Sequence, residues 1–170
     1  FQYEAKILRH LSATKGAERY ITRLIDAGVH LQWDPLPAVH CWFTMPMEAN
    51  SLEGVLRRNL DQDGCALPVE IARKITRSLM GALAFIHDAG IVHCDIKPGN
   101  ILMQYETDKD LKGDLAVKIA DFGSAEFMTD RPKGSRGTIY YAPPELLVSD
   151  GVYDTASDIW SAGATVYELL

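Results

Sequence analysis

The groups in this chain that can do chemistry are concentrated in eight consecutive residues, His93-Cys94-Asp95-Ile96-Lys97-Pro98-Gly99-Asn100, and in Asp121-Phe122-Gly123 further on. Together they offer a carboxylate that can act as a base, a lysine cation two residues later, and two hard oxygen donors, the Asn100 amide and the Asp121 carboxylate, of the kind magnesium prefers. Phosphoryl transfer asks for little more, because it needs its reactants held in line and its spreading negative charge neutralised. Asp-Phe-Gly alone would be a weak signal, since an ordinary turn with a core phenylalanine reads the same way. The order of segments carries more weight: HxDxKxxN, then Gly137-Thr138, Pro143-Pro144-Glu145 and Asp158-Ile159-Trp160-Ser161-Ala162-Gly163.

These segments need a scaffold, and apolar periodicity outlines one. Ile7, Leu8 and Leu11 fall at helical spacing before Gly16, which predicts a short amphipathic helix. Tyr20 to Ile25 and Val39 to Met45 read as strands around a turn-rich segment with Pro35 and Pro37, and a further helix begins near Ser51. Pro68 opens the clearest helix, with Ile71, Ile75, Leu79, Leu83 and Ile86 on one face and Gly90 closing it. Ile101 to Met103 and Val117 to Ala120 predict two short strands joined by a polar tip, Tyr105 to Asp114. From Asp154 onward Ile159, Trp160, Val166 and Tyr167 predict a helix that is apolar nearly all round and so buried. The fold class expected is α+β.

Composition excludes several other functions. At 170 residues and 47% hydrophobic the chain can bury one core, and nothing suggests disorder or a disulfide scaffold. A formal charge of −6 speaks against nucleic-acid binding, although Arg131, Lys133 and Arg136 form a local basic patch. Three dispersed cysteines without a CxxC suggest neither zinc nor disulfides and fit a reducing cytoplasmic or nuclear setting. His10, His30, His40, Cys41 and Cys65 show no metal-ligand spacing. Neither a membrane span nor a secretion signal is legible.

Taken together, the motifs resemble those of eukaryotic-type protein kinases of the Ser/Thr class. The resemblance covers nearly all of the chain and implies a partial kinase domain over 1–170: residues 1–45 from the small N-terminal lobe, residues 46–170 the hinge and the helical C-terminal lobe as far as helix F. It further implies ATP and Mg²⁺ as cofactors and a protein hydroxyl as acceptor. Asp95 would orient the hydroxyl and take its proton, Lys97 would face the γ-phosphate, and Asn100 and Asp121 would hold the metal. Leu102 would lie beneath the adenine, and the backbone around Met45, Met47 and Glu48 would bond its edge, with Thr44 or Met45 at the hinge entry. Glu4 would pair with a lysine on a preceding strand.

Other positions take supporting roles by the same resemblance. His93 would be structural, packing on Phe122, with Leu8 above that ring. Lys97 and Thr138 go with Ser/Thr preference, dual specificity being the lesser alternative. Tyr140 and Tyr141 read as packing residues of the substrate-positioning segment. Glu145 is the functional member of the Pro-Pro-Glu segment, and Asp158 resembles a buried acceptor for backbone N–H groups of the catalytic loop.

Departures matter too. Cys94 stands where many kinases carry an arginine that pairs with a phosphorylated activation loop, so activity is expected not to require phosphate on Thr129 or Ser135. No two of the 13 glycines stand two apart, so the chain holds no GxG loop. These residues alone are therefore expected to bind ATP poorly, and the chain reads as a piece of a longer protein. Two other readings stay open, a pseudokinase that acts as a scaffold and a small-molecule phosphotransferase, the latter disfavoured by Thr138 and Glu145.

Overall fold

A computed structural model describes residues 1–33, 35, 38–48, 50–63, 67–103, 115–130, 136–148 and 151–170. Helix α1 spans Gln2–Ser12 and turns Ala5, Ile7, Leu8 and Leu11 inward, the amphipathic stripe that the sequence predicts. Phe1 at its start stacks on Phe43 with ring centroids 4.7 Å apart, which ties α1 to the hairpin that follows.

That hairpin is β1, Asp26–Gln32, paired antiparallel with β2, Ala38–Thr44. The predicted strand Tyr20 to Ile25 is corrected here. Its first residues close a 3-10 turn, with the N–H groups of Tyr20 and Ile21 both donating to Ala17 O, and Ile21 then makes a single parallel bridge to Ile119. Ile21 is fully buried and Tyr20 stacks on Phe85, so the apolar residues there serve packing and not a ladder. The second strand falls where expected, within a residue at each end.

Strand β3, Asn50–Ser51, leads directly into α2, Leu52–Asp63. Helix α3, Val69–Asp88, is the spine of the fold: Ile75, Leu79, Leu83 and Ile86 are completely buried along its inner face. Truncating any of them to alanine is worth about 2–5 kcal/mol by the usual cavity cost. Gly90, at φ +75°, takes the left-handed conformation that ends the helix and starts β4, Ile91–Val92.

Strand β5, Ile101–Met103, is the centre of a three-stranded sheet between β3 and β6, Val117–Ile119, in register Ile101 to Ile119. The tip from Tyr105 to Asp114 lies outside the described residues. Strand β7, Glu126–Phe127, pairs with β4, with Ile91 opposite Phe127 and Val92 opposite Glu126. A five-residue helix α4, Pro144–Val148, precedes α5, Thr155–Leu169.

Helix α5 starts where Asp154 predicts. The Asp154 carboxylate accepts the N–H groups of Ala156 and Ser157, and Ser157 Oγ accepts the Asp154 N–H in return. The expectation of a helix buried all round is corrected. Its inward face carries Ser157, Asp158, Ser161, Ala162 and Thr165 and ends on the fully buried Leu169, whereas Ile159, Trp160 and Tyr167 are 46%, 53% and 83% exposed. The small and polar residues of its first turns face the loop that begins at His93, whose N–H Asp158 accepts. No helix among the described residues is long and apolar enough to cross a membrane.

Candidate active site

Strand β4 delivers the chain into the loop His93 to Lys97, which a 3-10 turn, Pro98–Asn100, returns to β5. The loop is shaped by Asp158 from α5, which is 1% exposed and accepts the N–H of His93 through Oδ2 at 2.8 Å and that of Cys94 through Oδ1 at 2.9 Å. His87 Nε2 lies 2.9 Å from the same Oδ2. Cys94 needs this grip, since its φ of +64° is unfavourable for a residue with a Cβ.

The polar groups of the loop converge. Asp95 Oδ2 accepts hydrogen bonds from Lys97 Nζ at 2.8 Å and Asn100 Nδ2 at 3.1 Å, while Oδ1 accepts the Thr138 hydroxyl at 2.8 Å. Lys97 Nζ also donates to Thr138 Oγ1 at 2.8 Å, which closes a triangle of Asp95, Lys97 and Thr138. Thr138 is pressed against the loop by Gly137 at φ +67°, where an added Cβ would meet Cys94 O at 2.2 Å; only glycine fits.

Asn100 spends its Nδ2 on the Asp95 backbone oxygen as well as its carboxylate, so a cation there would meet the amide oxygen. Ala120 N–H donates to Asn100 O at 2.9 Å, placing Asp121 at the neighbouring position. Asp121 is exposed, has φ +60°, and accepts the Gly123 N–H through Oδ1. Among the described residues no group of three or more His, Cys, Asp or Glu side chains forms a metal cage. An amide oxygen and one exposed carboxylate fit magnesium, which usually takes one or two protein ligands and completes its shell with water and phosphate oxygens.

His93 is fully buried with its ring 4.9 Å from that of Phe122 in an edge-on contact. Its Nε2 lies 3.1 Å from Ala120 O and its Nδ1 3.3 Å from the Asp95 N–H, so one nitrogen donates and the other accepts, the pattern of a neutral ring. Burial pushes its pKa down despite the Asp158 charge. Phe122 and Leu8 are each 1% exposed within the same apolar core.

Glu4 on α1 is half-buried, and its carboxyl is pushed up first by burial and then by the Asp121 charge. Leu102 is half-buried on the face of β5 opposite Ile101 and Met103, sharing that face with its ladder partner Lys118. Lys118 Nζ meets Glu48 Oε1 at 2.7 Å, drawing the 45–48 segment toward this face. The Met47 side chain is 98% exposed and that of Met45 39%. Thr44 is the last residue of β2, opposite Asp26, and Met45 the first beyond it. Glu145 lies exposed on α4.

Single-sequence reasoning missed the Lys118–Glu48 pair, the Arg136 Nη1 to Glu126 Oε1 contact at 2.9 Å, and the Tyr153 hydroxyl that donates to Arg136 O. All are of common residue type and lie 70, 10 and 17 positions apart, so no helical or strand period announces them. An open cavity of about 500 Å³ adjoins Lys97, lined by Glu53, Leu56, Arg57, Tyr140, Tyr141 and Glu168 among others.

The geometry agrees with what comparison finds. A profile of the family described as "Protein kinase domain" matches residues 1–170. The chain is 37% identical over 135 residues to "Serine/threonine-protein kinase RUNKEL" of Arabidopsis thaliana, covering 77% of the chain and 9% of that protein. It is 33% identical over 170 residues to "Mitogen-activated protein kinase HOG1" of Candida albicans, covering 97% of the chain and 42% of that protein. A third similarity, 42% over 101 residues, is to "CTD kinase subunit alpha" of Schizosaccharomyces pombe, covering 57% of the chain and 16% of that protein. The chain thus spans less than half the length of each of these relatives. A catalytic loop gripped by Asp158, an Asp95–Lys97–Thr138 triangle and a family match from end to end lead to one conclusion: this chain belongs to the protein kinase family.

Proposed function

We propose that the chain is the centre of a protein serine/threonine kinase that transfers the γ-phosphate of ATP to Ser or Thr hydroxyls of a protein. Residues 1–45 are read as part of the small lobe and 46–170 as the hinge and the large lobe as far as helix F. The observation that carries the reading is the Asp95–Lys97–Thr138 triangle, a carboxylate and an ammonium fixed to each other at 2.8 Å. Asp95 orients the acceptor hydroxyl and takes its proton; Lys97, held on Asp95 Oδ2 and Thr138 Oγ1, offsets charge on the transferring group.

Asn100 Oδ1 and the Asp121 carboxylate are the groups that would hold Mg²⁺, and Leu102 with the backbone of 45–48 would hold the adenine. Magnesium supplies neutralisation of phosphate charge when bound. Thr44, the last residue of β2, is read as the hinge-entry side chain, with Met45 the alternative next to it. Glu4, raised in pKa beside Asp121, calls for a cation, which a strand lysine would provide. The cavity beside Lys97 is the place for the acceptor peptide, and an intracellular setting suits the nucleotide.

The test is Mg²⁺-dependent transfer of labelled γ-phosphate to a generic Ser/Thr acceptor by the full-length protein. Asp95→Asn is expected to lower kcat by about 10²-fold or more, as loss of a positioned base does. Undiminished transfer by that variant would remove Asp95 from the role, and nucleotide binding without any wild-type transfer would move the protein to the scaffold reading.

A further inference from the structure

Cys94 brings no cation to the loop, yet the segment that follows Asp121 is docked on it. We propose that Glu126 and Arg136 form a positioning pair, internal to the chain, that holds Gly137 and Thr138 on the catalytic loop without a phosphate group. The inference rests on the kinase reading and names what sets the substrate side of that site.

Glu126 is fixed from behind. It lies in β7, opposite Val92 of β4, so it stands on the strand next to the one that leads into Cys94 and Asp95. Its side chain is 15% exposed, and Oε1 meets Arg136 Nη1 at 2.9 Å, the arginine being 36% exposed. Glu126 is the sheltered partner and is anchored in a ladder, so the carboxylate side of the pair is fixed and less screened than in a fully exposed pair. Both charges reach Cys94, where they bias the thiol in opposite directions.

Arg136 is gripped a second time through its backbone. The Tyr153 hydroxyl donates to Arg136 O, and Tyr153 is 4% exposed in a small apolar cluster with Val92, Cys94 and Leu146. The next residue is Gly137, in contact with Cys94 O, and the next Thr138, bonded to both Asp95 and Lys97. The run from Glu126 through Arg136 to Thr138 thus joins the β4–β7 ladder to the catalytic carboxylate. In this arrangement the guanidinium sits on the docked segment and the anion on the body of the fold. An added phosphate is not needed to meet Arg136, because Glu126 already does.

The experiment uses the full-length protein after phosphatase treatment and measures hydrogen exchange in peptides covering 136–142, where Tyr141 N–H and Ala142 N–H donate to Thr138 O and Ile139 O. Glu126→Ala and Arg136→Ala are each expected to speed exchange there about tenfold, a coupling within the range of contacting charged groups. The exchanged pair, Glu126→Arg with Arg136→Glu, is expected to return it most of the way to the wild-type rate. In parallel, kcat/KM for an acceptor peptide falls in the single variants and recovers in the exchanged one, while KM for ATP stays put. Wild-type exchange rates in both single variants would overturn the proposal, as would an exchanged pair no slower than the singles, or a wild-type segment loosened by phosphatase alone. Absent phosphoryl transfer with the expected exchange pattern would count against the kinase reading and leave the pair standing.

Discussion

The carboxylate of Asp158 on α5 accepts the backbone N–H of Cys94 at 2.9 Å, across 64 residues of sequence and in full burial. With the His93 N–H on its other oxygen, Asp158 holds the backbone of the His93 to Lys97 loop in its left-handed kink at Cys94. Replacing it by alanine leaves two buried donors unmet, at about 1–3 kcal/mol each. Asp158→Ala is therefore expected to lower stability by about 3 kcal/mol or more, with Asp158→Asn intermediate because one acceptor oxygen remains. Urea unfolding of the full-length protein measures this; a loss below 1 kcal/mol in the alanine variant would show the loop to be held elsewhere.

Cys94 is the next consequence of that kink. Burial, and after it the Asp158 charge, push its thiol well above the ordinary range, whereas Cys41 is exposed on β2. The thiolate is the reactive form, so alkylation at pH 8 is expected to label Cys41 well ahead of Cys94. Mass spectrometry of iodoacetamide-treated native protein reads the order, and equal rates would mean that the loop opens readily.

The motif residues were legible in the sequence because their spacing is local: Asp95, Lys97 and Asn100 share one loop, and the structure bonds them to each other. Helices α1 and α3 were legible for the related reason that an apolar stripe repeats within a turn or two. Tyr20 to Ile25 misled because β-branched and aromatic residues fit a buried irregular segment as well as a strand, and the 3-10 turn at Ala17 settles it by hydrogen bonds that no periodicity encodes. Trp160 and Tyr167 misled in the opposite direction: large apolar residues on α5 suggest a core, but the turns that face the His93 to Lys97 loop bury Ser157, Asp158 and Ser161 instead. Contacts between distant polar residues, such as Glu48 with Lys118, depend on the finished fold.

His93 makes stability depend on pH in a defined direction. Burial holds its pKa below the ordinary 6.5, so the folded protein keeps it neutral where the unfolded chain takes up a proton. The contribution is present above about pH 6.5 and is lost as pH falls below it, at up to about 1.4 kcal/mol per pH unit for one proton. Chemical unfolding between pH 8 and 5 is expected to show that decline in the wild type and a shallower one in His93→Gln, whose amide can still donate to Ala120 O. Parallel curves for the two proteins would assign the acid sensitivity to other groups.

Lys118 and Glu48 test how the 45–48 segment is held over the β5–β6 face. Their side chains are 13% and 1% exposed at 2.7 Å, and Glu48 Oε2 has no hydrogen-bond partner among the described residues. A buried ion pair is costly to form yet costlier to break, since a lone buried charge has no compensation, and removing one partner typically costs about 3–5 kcal/mol. Lys118→Met is thus expected to destabilise the full-length protein by about 3 kcal/mol, whereas Lys118→Met with Glu48→Leu comes close to the wild type because both desolvation costs vanish together. The same single variant frees the segment whose backbone is assigned to the adenine edge, so KM for ATP is expected to rise more than kcat falls. If Lys118→Met and the double variant unfold alike in urea, the pair carries no coupling and the segment is held by its backbone alone.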